Sequence, residues 1–543
     1  MNGKIKNAST WVPVIIAVSF VAGMLTARIF NDKSVTGGNE KLDNIMSLID
    51  QYYVDDVDMD SLVELTIPSL LANLDPHSTY IPASDLQSVN DELEGSFGGI
   101  GITFQMMNDT VTVLEVISGG PAEKVGMLPG DRIVTINDSV AAGRKWSNEK
   151  ILKTLRGEKG TKVKLGVKRS TAATLLPFTV TRGDIPVTSI DAAYTITPGV
   201  GYVKVNKFGR NTFQEFLTEI TKLKGQGVGK YVIDLRGNGG GYMEPAILMA
   251  NEFLPADRLI VSTKGRNMDN NTSIASGGTG SFSDAEVVVI LDEYSASASE
   301  IFAGAIQDND RGLIVGRRSF GKGLVQHQEL LPDNSAIRLT VARYYTPSGR
   351  CIQKTYRPGE ASKYSSELFD RYSNGELYSA DSIKIDKSLS FLTSTGRTVY
   401  GGGGIIPDLF VPNDTTGISS YYISVANAGL LQKFAFEYCD LNRDQLSKCK
   451  TADEILKILP PDDILLQSFA DFAADNGVPA RWIYINISRD LIVNQLKALI
   501  SRDILGTSSY FYIYNRRDPS VLRAVKALQG GESRFPIVPL RAK

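Results

Sequence analysis

The run VVVILDEYSASASEIFAGAIQD, residues 287–308, changes character part-way. VVVIL reads as a strand, and ASEIFAGAIQD as a helix opening near Ala298. The same alternation surrounds it: strands YVIDLR (231–236) and GLIVG (312–316), and a helical run EPAILMANEFL (244–254). Strands alternating with helices over about 183–413 are the pattern of an α/β layered fold.

Upstream, over about 95–182, the pattern is short strands and glycine turns: GGIGITF, TVTVLEVI, DRIVTIN and KVKLGVKR, with a helical stretch at Asn148 to Leu155. This predicts a compact β-rich module. Before it, Leu42, Ile45, Ile49 and Tyr52 recur at helical spacing, and an apolar run from Leu62 to Leu74 stops at Asp75-Pro76, which predicts a helical packing or dimer segment over 40–94. Residues 31–41 read as a polar linker. Beyond 414 the chain reads as helical, with a Thr451/Glu454 capping pattern and an apolar stripe of Ile492, Leu496, Leu499 and Ile500.

Residues 11–30 are apolar apart from Arg28, long enough to cross a bilayer, and follow Lys4 and Lys6. A single uncleaved anchor is expected, with everything after residue 31 outside the cytoplasm. Lys plus Arg (58) balance Asp plus Glu (60) with no basic run, which removes nucleic acid from the partners. Three cysteines, Cys351, Cys439 and Cys449, exclude a disulfide scaffold and a cysteine-based zinc site.

The chemistry concentrates in the glycine- and serine-rich loops. Ser297 follows a strand and opens a helix, a position from which a hydroxyl is presented at a sheet's edge, beside helix-start N–H groups suited to an oxyanion. The competing reading is an ordinary capping box, Ser297-x-x-Glu300. A serine nucleophile needs a base. His77 and His327 are the chain's two histidines, and neither sits in a convincing setting; His77 reads as a structural loop residue. A neutral, desolvated lysine is the alternative, and Lys322, between Gly321 and Gly323 with Phe320 and Leu324 nearby, is the best candidate. Strand alternation would put Gln326 on its face and turn His327 away. Gly316-x-x-x-x-Gly321-Lys322 lacks the Ser or Thr of a phosphate-binding loop, and 234–242 lacks the last glycine of a dinucleotide fingerprint.

Taken together, LDPHSTYI (74–81), GGIGITF with GPAEKVGMLPGDRIVTIN (120–137), DLRGNGGG (234–241), SASASEIFAGAIQDN (295–309), GRRSFGKGLVQ (316–326) and YYTPSGR (344–350) resemble the carboxyl-terminal processing, or tail-specific, serine proteases. The resemblance implies a multidomain α+β chain: a cytoplasmic tail and transmembrane anchor (1–31), an N-terminal helical segment (40–94), a PDZ-like β-rich domain (95–182), an α/β layered, crotonase-like/ClpP-like protease core (183–413) and a C-terminal mainly helical domain of open role (414–543). It implies Ser297 as nucleophile, Lys322 as base, Gln326 positioning the lysine, and the Gly240 and Ala298 amides as oxyanion hole. Gly239 stands where the family has proline. Gly99, Ile100 and Gly101 match the PDZ loop that binds a peptide's terminal carboxylate; a glycine turn entering a strand is also an anion nest in its own right.

The expected function is therefore a serine endopeptidase acting near the carboxyl termini of secreted or membrane-bound proteins, without metal or cofactor, its PDZ domain binding accessible apolar tails and gating the site. The bacterial inner membrane, single-pass, with the catalytic part in the periplasm, is the expected location. A homo-oligomer or an adaptor protein is a further expected partner. Two rivals stand beside this reading: a non-catalytic PDZ scaffold on a retained protease fold, and a Ser-His hydrolase using His327.

Overall fold

The computed structural model describes residues 38–117, 119–169 and 172–530. The expected membrane segment 11–30 lies outside them, and among the described residues no helix is long and apolar enough to cross a membrane. The chain divides into two units, Met1–Leu71 and Ala72–Lys543. The described part of the first is helical: α1 (Gly38–Tyr52) and α2 (Met59–Ala72).

The second unit opens with β1 (Thr79–Ile81) and α3 (Ala83–Glu94). The expected helical segment 40–94 thus also holds a short strand beyond its Asp75-Pro76 stop, which pairs antiparallel with residues 336–338. The β-rich module follows: β2 (Ser96–Gly99), β3 (Ile102–Met107), β4 (Thr110–Val116), β5 (Arg132–Ile136), α4 (Asn148–Leu155), β6 (Lys162–Lys168), β7 (Leu176–Thr181) and β8 (Gly183–Pro186). Strands β3-β4-β5-β6-β7 form an antiparallel sheet, and β2 pairs with β8 where the chain enters and leaves. Alternation turns Val111, Val113, Ile133, Val163 and Val167 inward, against Ile151 of α4.

The α/β core holds β9 (Ile190–Thr197), β10 (Val200–Val205), β11 (Lys230–Asp234), α5 (Met243–Phe253), β12 (Leu259–Gly265), β13 (Glu286–Leu291), α6 (Ala298–Asp308), β14 (Gly312–Gly316), β15 (Leu324–Leu330), β16 (Ala336–Tyr345) and β17 (Leu409–Phe410). The central sheet runs β9-β10-β11-β13-β14-β17, parallel except for the first pair. Its inner strands β13 and β14 carry near-continuous apolar runs, Val287–Leu291 and Leu313–Val315, because both faces are buried. Val203, Ile233, Val289 and Ile314 meet α5 and α6 on one side. Tyr202, Val232, Val288 and Val315 fill the other.

The second face is covered by the C-terminal region. That region comprises helices including α7 (Leu430–Leu441), α8 (Arg489–Leu505), α9 (Thr507–Tyr514) and α10 (Pro519–Gly530). Ile492, Leu496, Leu499 and Ile500 of α8 are buried in its own core, as the stripe predicts. Val521, Ala524, Ala527 and Leu528 of α10 are fully buried against the central sheet. The C-terminal domain is therefore part of the α/β core's packing. Truncating the chain before residue 519 is expected to uncover Tyr202, Val232, Val288 and Ile290 and to yield an aggregating, dye-binding product, measurable by soluble yield and by fluorescence of a hydrophobic dye.

Candidate active site

The loops that follow β11 and β13 leave the carboxyl ends of adjacent parallel strands, where open α/β sheets hold their ligands. Asn238, fully buried, joins them: its side chain donates to Val205 O (3.1 Å), and its carbonyl accepts from Ala296 N (3.0 Å) and Ser299 Oγ (2.9 Å). The first loop is anchored at its start by Arg236, which bridges Asp234 (2.6 Å) and Asp518 (2.8 Å) of the C-terminal region. Burial opposes ionisation of Asp234, yet Arg236 and Lys204 hold its carboxyl well below the usual range.

Three serines occupy the second loop, and the structure separates them. Ser295 and Ser299 are fully buried with their hydroxyls on Leu235 O and Asn238 O, both at 2.9 Å. Ser297 lines a cleft of about 630 Å³ shared with Lys322 and Gln326. Its backbone, at φ 57 and ψ −114, is not the extended one of an ordinary helix cap. A non-glycine residue with such a φ is strained, a feature that gathers at functional turns.

Two buried side chains strap Ser297 to Lys322. The Glu300 carboxylate accepts from Ser297 N and Lys322 N, each at 2.8 Å, and from Gly321 N (2.7 Å) and Ser319 Oγ (2.5 Å). On the carbonyl side, the Tyr344 hydroxyl lies between Ser297 O (3.0 Å) and Lys322 O. The capping-box reading of Glu300 is therefore half the account, since the same carboxylate also holds the lysine's backbone.

Lys322 Nζ donates to Gln326 Oε1 (3.1 Å), and Gln326 Nε2 donates to His77 O. Among the described residues, Lys322 Nζ makes no hydrogen bond to Ser297. Burial, then the positive charge of Arg338, pushes the lysine's pKa down, against the pull of Glu300 and Asp75. The expected alternation is interrupted: β15 begins only at Leu324, and its pairing shifts between Val325 and Gln326. The lysine reaches Gln326 from the preceding loop.

His77 is a structural residue, as read. Its ring meets Tyr364 OH (2.7 Å), and burial followed by the Lys322 charge lowers its pKa to about 4. Its carbonyl, which no side-chain motif announces, fixes the Gln326 amide. Its backbone is pinned by Asp75, which accepts from His77 N and Ser78 Oγ (2.8 and 2.6 Å). His327 also lines this cleft, but it is 64% exposed and pairs with Glu329 (3.1 Å), with no hydrogen bond to Ser297 among the described residues.

The sequence matches the family described as "Peptidase family S41" over residues 199–359 and the PDZ domain over 98–180. A Bartonella bacilliformis carboxy-terminal-processing protease is 36% identical over 356 residues, covering 62% of this chain and 80% of the relative. The chain belongs to peptidase family S41. The carboxy-terminal processing protease CtpB of Bacillus subtilis is 33% identical over 352 residues, 64% of this chain and 72% of that one. Among solved structures, a photosystem II D1 C-terminal processing protease covers 70% of this chain and 94% of its own at 25% identity and a TM-score of 0.34. Residues 421–506 match a family of unknown function. The chain is thus a serine-type, carboxy-terminal processing S41 peptidase with a PDZ domain.

Of the S41 residues expected as the oxyanion hole, Ala298 opens α6 and Gly240 packs on Ser297. The Gly240 N–H donates to Asn238 Oδ1 (2.9 Å); this bond must yield before the amide can serve an oxyanion. Gly240 has φ 100, and a Cβ there would stand 2.7 Å from Ser297 Cβ and 2.8 Å from Ala296 O. Gly240→Ala is expected to displace the serine and cut kcat by about 10²-fold, with peptide binding to the PDZ domain unchanged.

Proposed function

We propose that Ser297 is the nucleophile and Lys322 the general base of this peptidase, with Gln326 positioning the lysine and the amides of Ala298 and Gly240 holding the oxyanion. One observation carries the reading: the Glu300 carboxylate accepts from Ser297 N and Lys322 N, each at 2.8 Å, beside a single cleft. In the proposed reaction, neutral Lys322 takes the Ser297 hydroxyl proton as Oγ attacks the scissile carbonyl. The tetrahedral oxyanion is bound by the two amides. The leaving amine departs with the proton from Lys322, and water, deprotonated by the same lysine, releases the acyl group as a carboxylate. The pairing of Ser297 with His327 is the weaker reading, because that ring, though it lines the cleft, is mostly exposed and held by Glu329, and no strap like Glu300 joins it to Ser297.

The substrates in this reading are secreted or membrane-bound proteins with apolar carboxyl-terminal tails, met in the periplasm. Strand β3 is at the edge of the PDZ sheet, free on one side among the described residues, and runs beside the buried Ile100, Ile151 and Leu155. A tail added there as a strand would direct its carboxylate to the loop Gly99, Ile100 and Gly101. Occupation of that loop would then gate the cleft.

The test is cleavage of an unfolded protein with a free apolar carboxyl terminus by residues 31–543 and by the Ser297→Ala and Lys322→Ala variants. Activity in the parent and in neither variant supports the dyad, and activity retained by either one refutes it. Blocking the tail as an amide is expected to slow the parent.

A further inference from the structure

We propose that Arg338 forms an anion subsite in the cleft, taking a carboxylate of the bound polypeptide. This deepens the peptidase reading and rests on it for the nature of the ligand. Arg338 stands on β16 opposite Gln328, with Thr340 opposite Gln326 in the same register, so it lies one alternating position along the strand from the Gln326 site. It lines the same cleft as Ser297 and Lys322.

Arg338 differs from five arginines that the fold holds firmly. Arg236, partly buried, and Arg318 and Arg350, buried, sit on carboxylates at 2.6, 2.5 and 2.8 Å. Arg182 and Arg311, which lack such a partner, spread their N–H groups over several backbone carbonyls. Arg338 has neither arrangement among the described residues. Its one hydrogen bond is from Nη2 to Gln328 Oε1 (2.8 Å), and Gln328 Nε2 reaches Asn90 Oδ1 on α3 (3.2 Å). This chain fixes the guanidinium across the cleft and leaves Nε and Nη1 to donate.

One carboxylate, Glu94, is among the residues lining the cleft, and it is already paired. It is held by both arms of Arg210 (2.7 and 2.8 Å) and by Tyr242 OH (2.9 Å). A guanidinium stays charged at every working pH, and here it faces a second basic group, Lys322, whose pKa it lowers. A partly buried cation so placed, with its fork open, matches a planar carboxylate. The polypeptide can supply one from an acidic side chain or from its own terminus, and the chemistry recognised is the same.

The experiment measures binding to the full chain carrying Ser297→Ala, so that turnover does not enter. Fluorescence anisotropy compares three apolar peptides of one length: amidated and neutral, amidated with one internal Glu, and neutral with a free carboxyl terminus. With Arg338 present, at least one anionic peptide is expected to bind about tenfold tighter than the neutral one. Arg338→Gln should bring that ratio to about one, and Arg338→Lys should keep part of it while losing the fork. Loss of the ratio for the Glu peptide assigns the site to side chains; loss for the free acid assigns it to the tail. Equal binding of all three peptides, or a preference that Arg338→Gln leaves unchanged in every anionic peptide showing it, overturns the proposal; a surviving preference for the free acid alone belongs to the PDZ loop. The lysine variant separates lost charge from a misfolded protein. Because no cleavage is read, failure of the dyad would leave these ratios intact.

Discussion

Lys322→Met is expected to lower kcat/KM on a tailed unfolded substrate by about 10³–10⁴-fold and to make the protein more stable at pH 7. The first effect is loss of the base. Lys322→Arg should fail equally, because a guanidinium does not deprotonate in the working range. In the parent, the active form of Lys322 is neutral, so kcat/KM rises with pH and reaches its plateau below the ordinary lysine value of 10.5, to the extent that burial and Arg338 have lowered the group. The stability effect has a definite sign. A lysine whose folded pKa is depressed contributes stability above its unfolded value that is lost as pH falls through the folded value. At pH 7 the buried ammonium is therefore a cost, and methionine, of similar length and uncharged, removes it. The gain should shrink as pH rises toward 10.5. Thermal unfolding of both proteins across pH, beside the kinetic profile, checks both halves. A variant that is inactive and less stable at pH 7 would show that Lys322 is held as a paired structural cation.

What could be read from the sequence divides along local and non-local lines. Residues 287–308 and the strands 231–234 and 312–316 were legible because burial on two faces makes a strand apolar end to end. Helix 148–155 of the PDZ domain was legible from its spacing. The docking of 519–530 on the protease sheet was not, since a buried stripe of Val521, Ala524 and Leu528 says that a partner exists without saying which. Gln326 was found through strand alternation and the family resemblance, although a pairing shift at Val325 and the late start of β15 break that alternation. The His77 carbonyl left no trace in the sequence, because every residue has one. Glu300 was half legible: its bond to Ser297 N is a local capping pattern, and its bond to Lys322 N depends on a loop returning from 22 residues away.

Glu300→Ala is accordingly expected to abolish detectable activity, a loss of about 10³-fold or more, and to destabilise the protein by about 3–5 kcal/mol. Three backbone N–H groups, that of Gly321 buried and those of Ser297 and Lys322 partly so, and the Ser319 hydroxyl end on this carboxylate. Removing it orphans all four donors at about 1–3 kcal/mol each before relaxation and water recover part of the cost. It also frees the backbone of Ser297 from that of Lys322, and misplacement of reacting groups by about 1 Å can cost 10²-fold in rate. Glu300→Gln separates the two effects, since it keeps the volume and loses one acceptor. It should fold, with activity down by about 10²-fold. Burial pushes the Glu300 carboxyl up to about 7, against the hydrogen bonds from Ser319, Lys322, Ser297 and Gly321. Protonation turns one acceptor oxygen into a donor among donors, so kcat/KM of the parent should fall as pH drops through about 7. That limb should be missing in Glu300→Gln. Stability runs the other way. A carboxyl with a raised folded pKa contributes stability that is fully present below its ordinary 4.5 and lost as pH rises through about 7. The parent should therefore lose stability over that window and the glutamine variant should not. Parallel kinetic and unfolding profiles of the two proteins measure both slopes, and a glutamine variant with the parent's pH limb would assign that ionisation to another group.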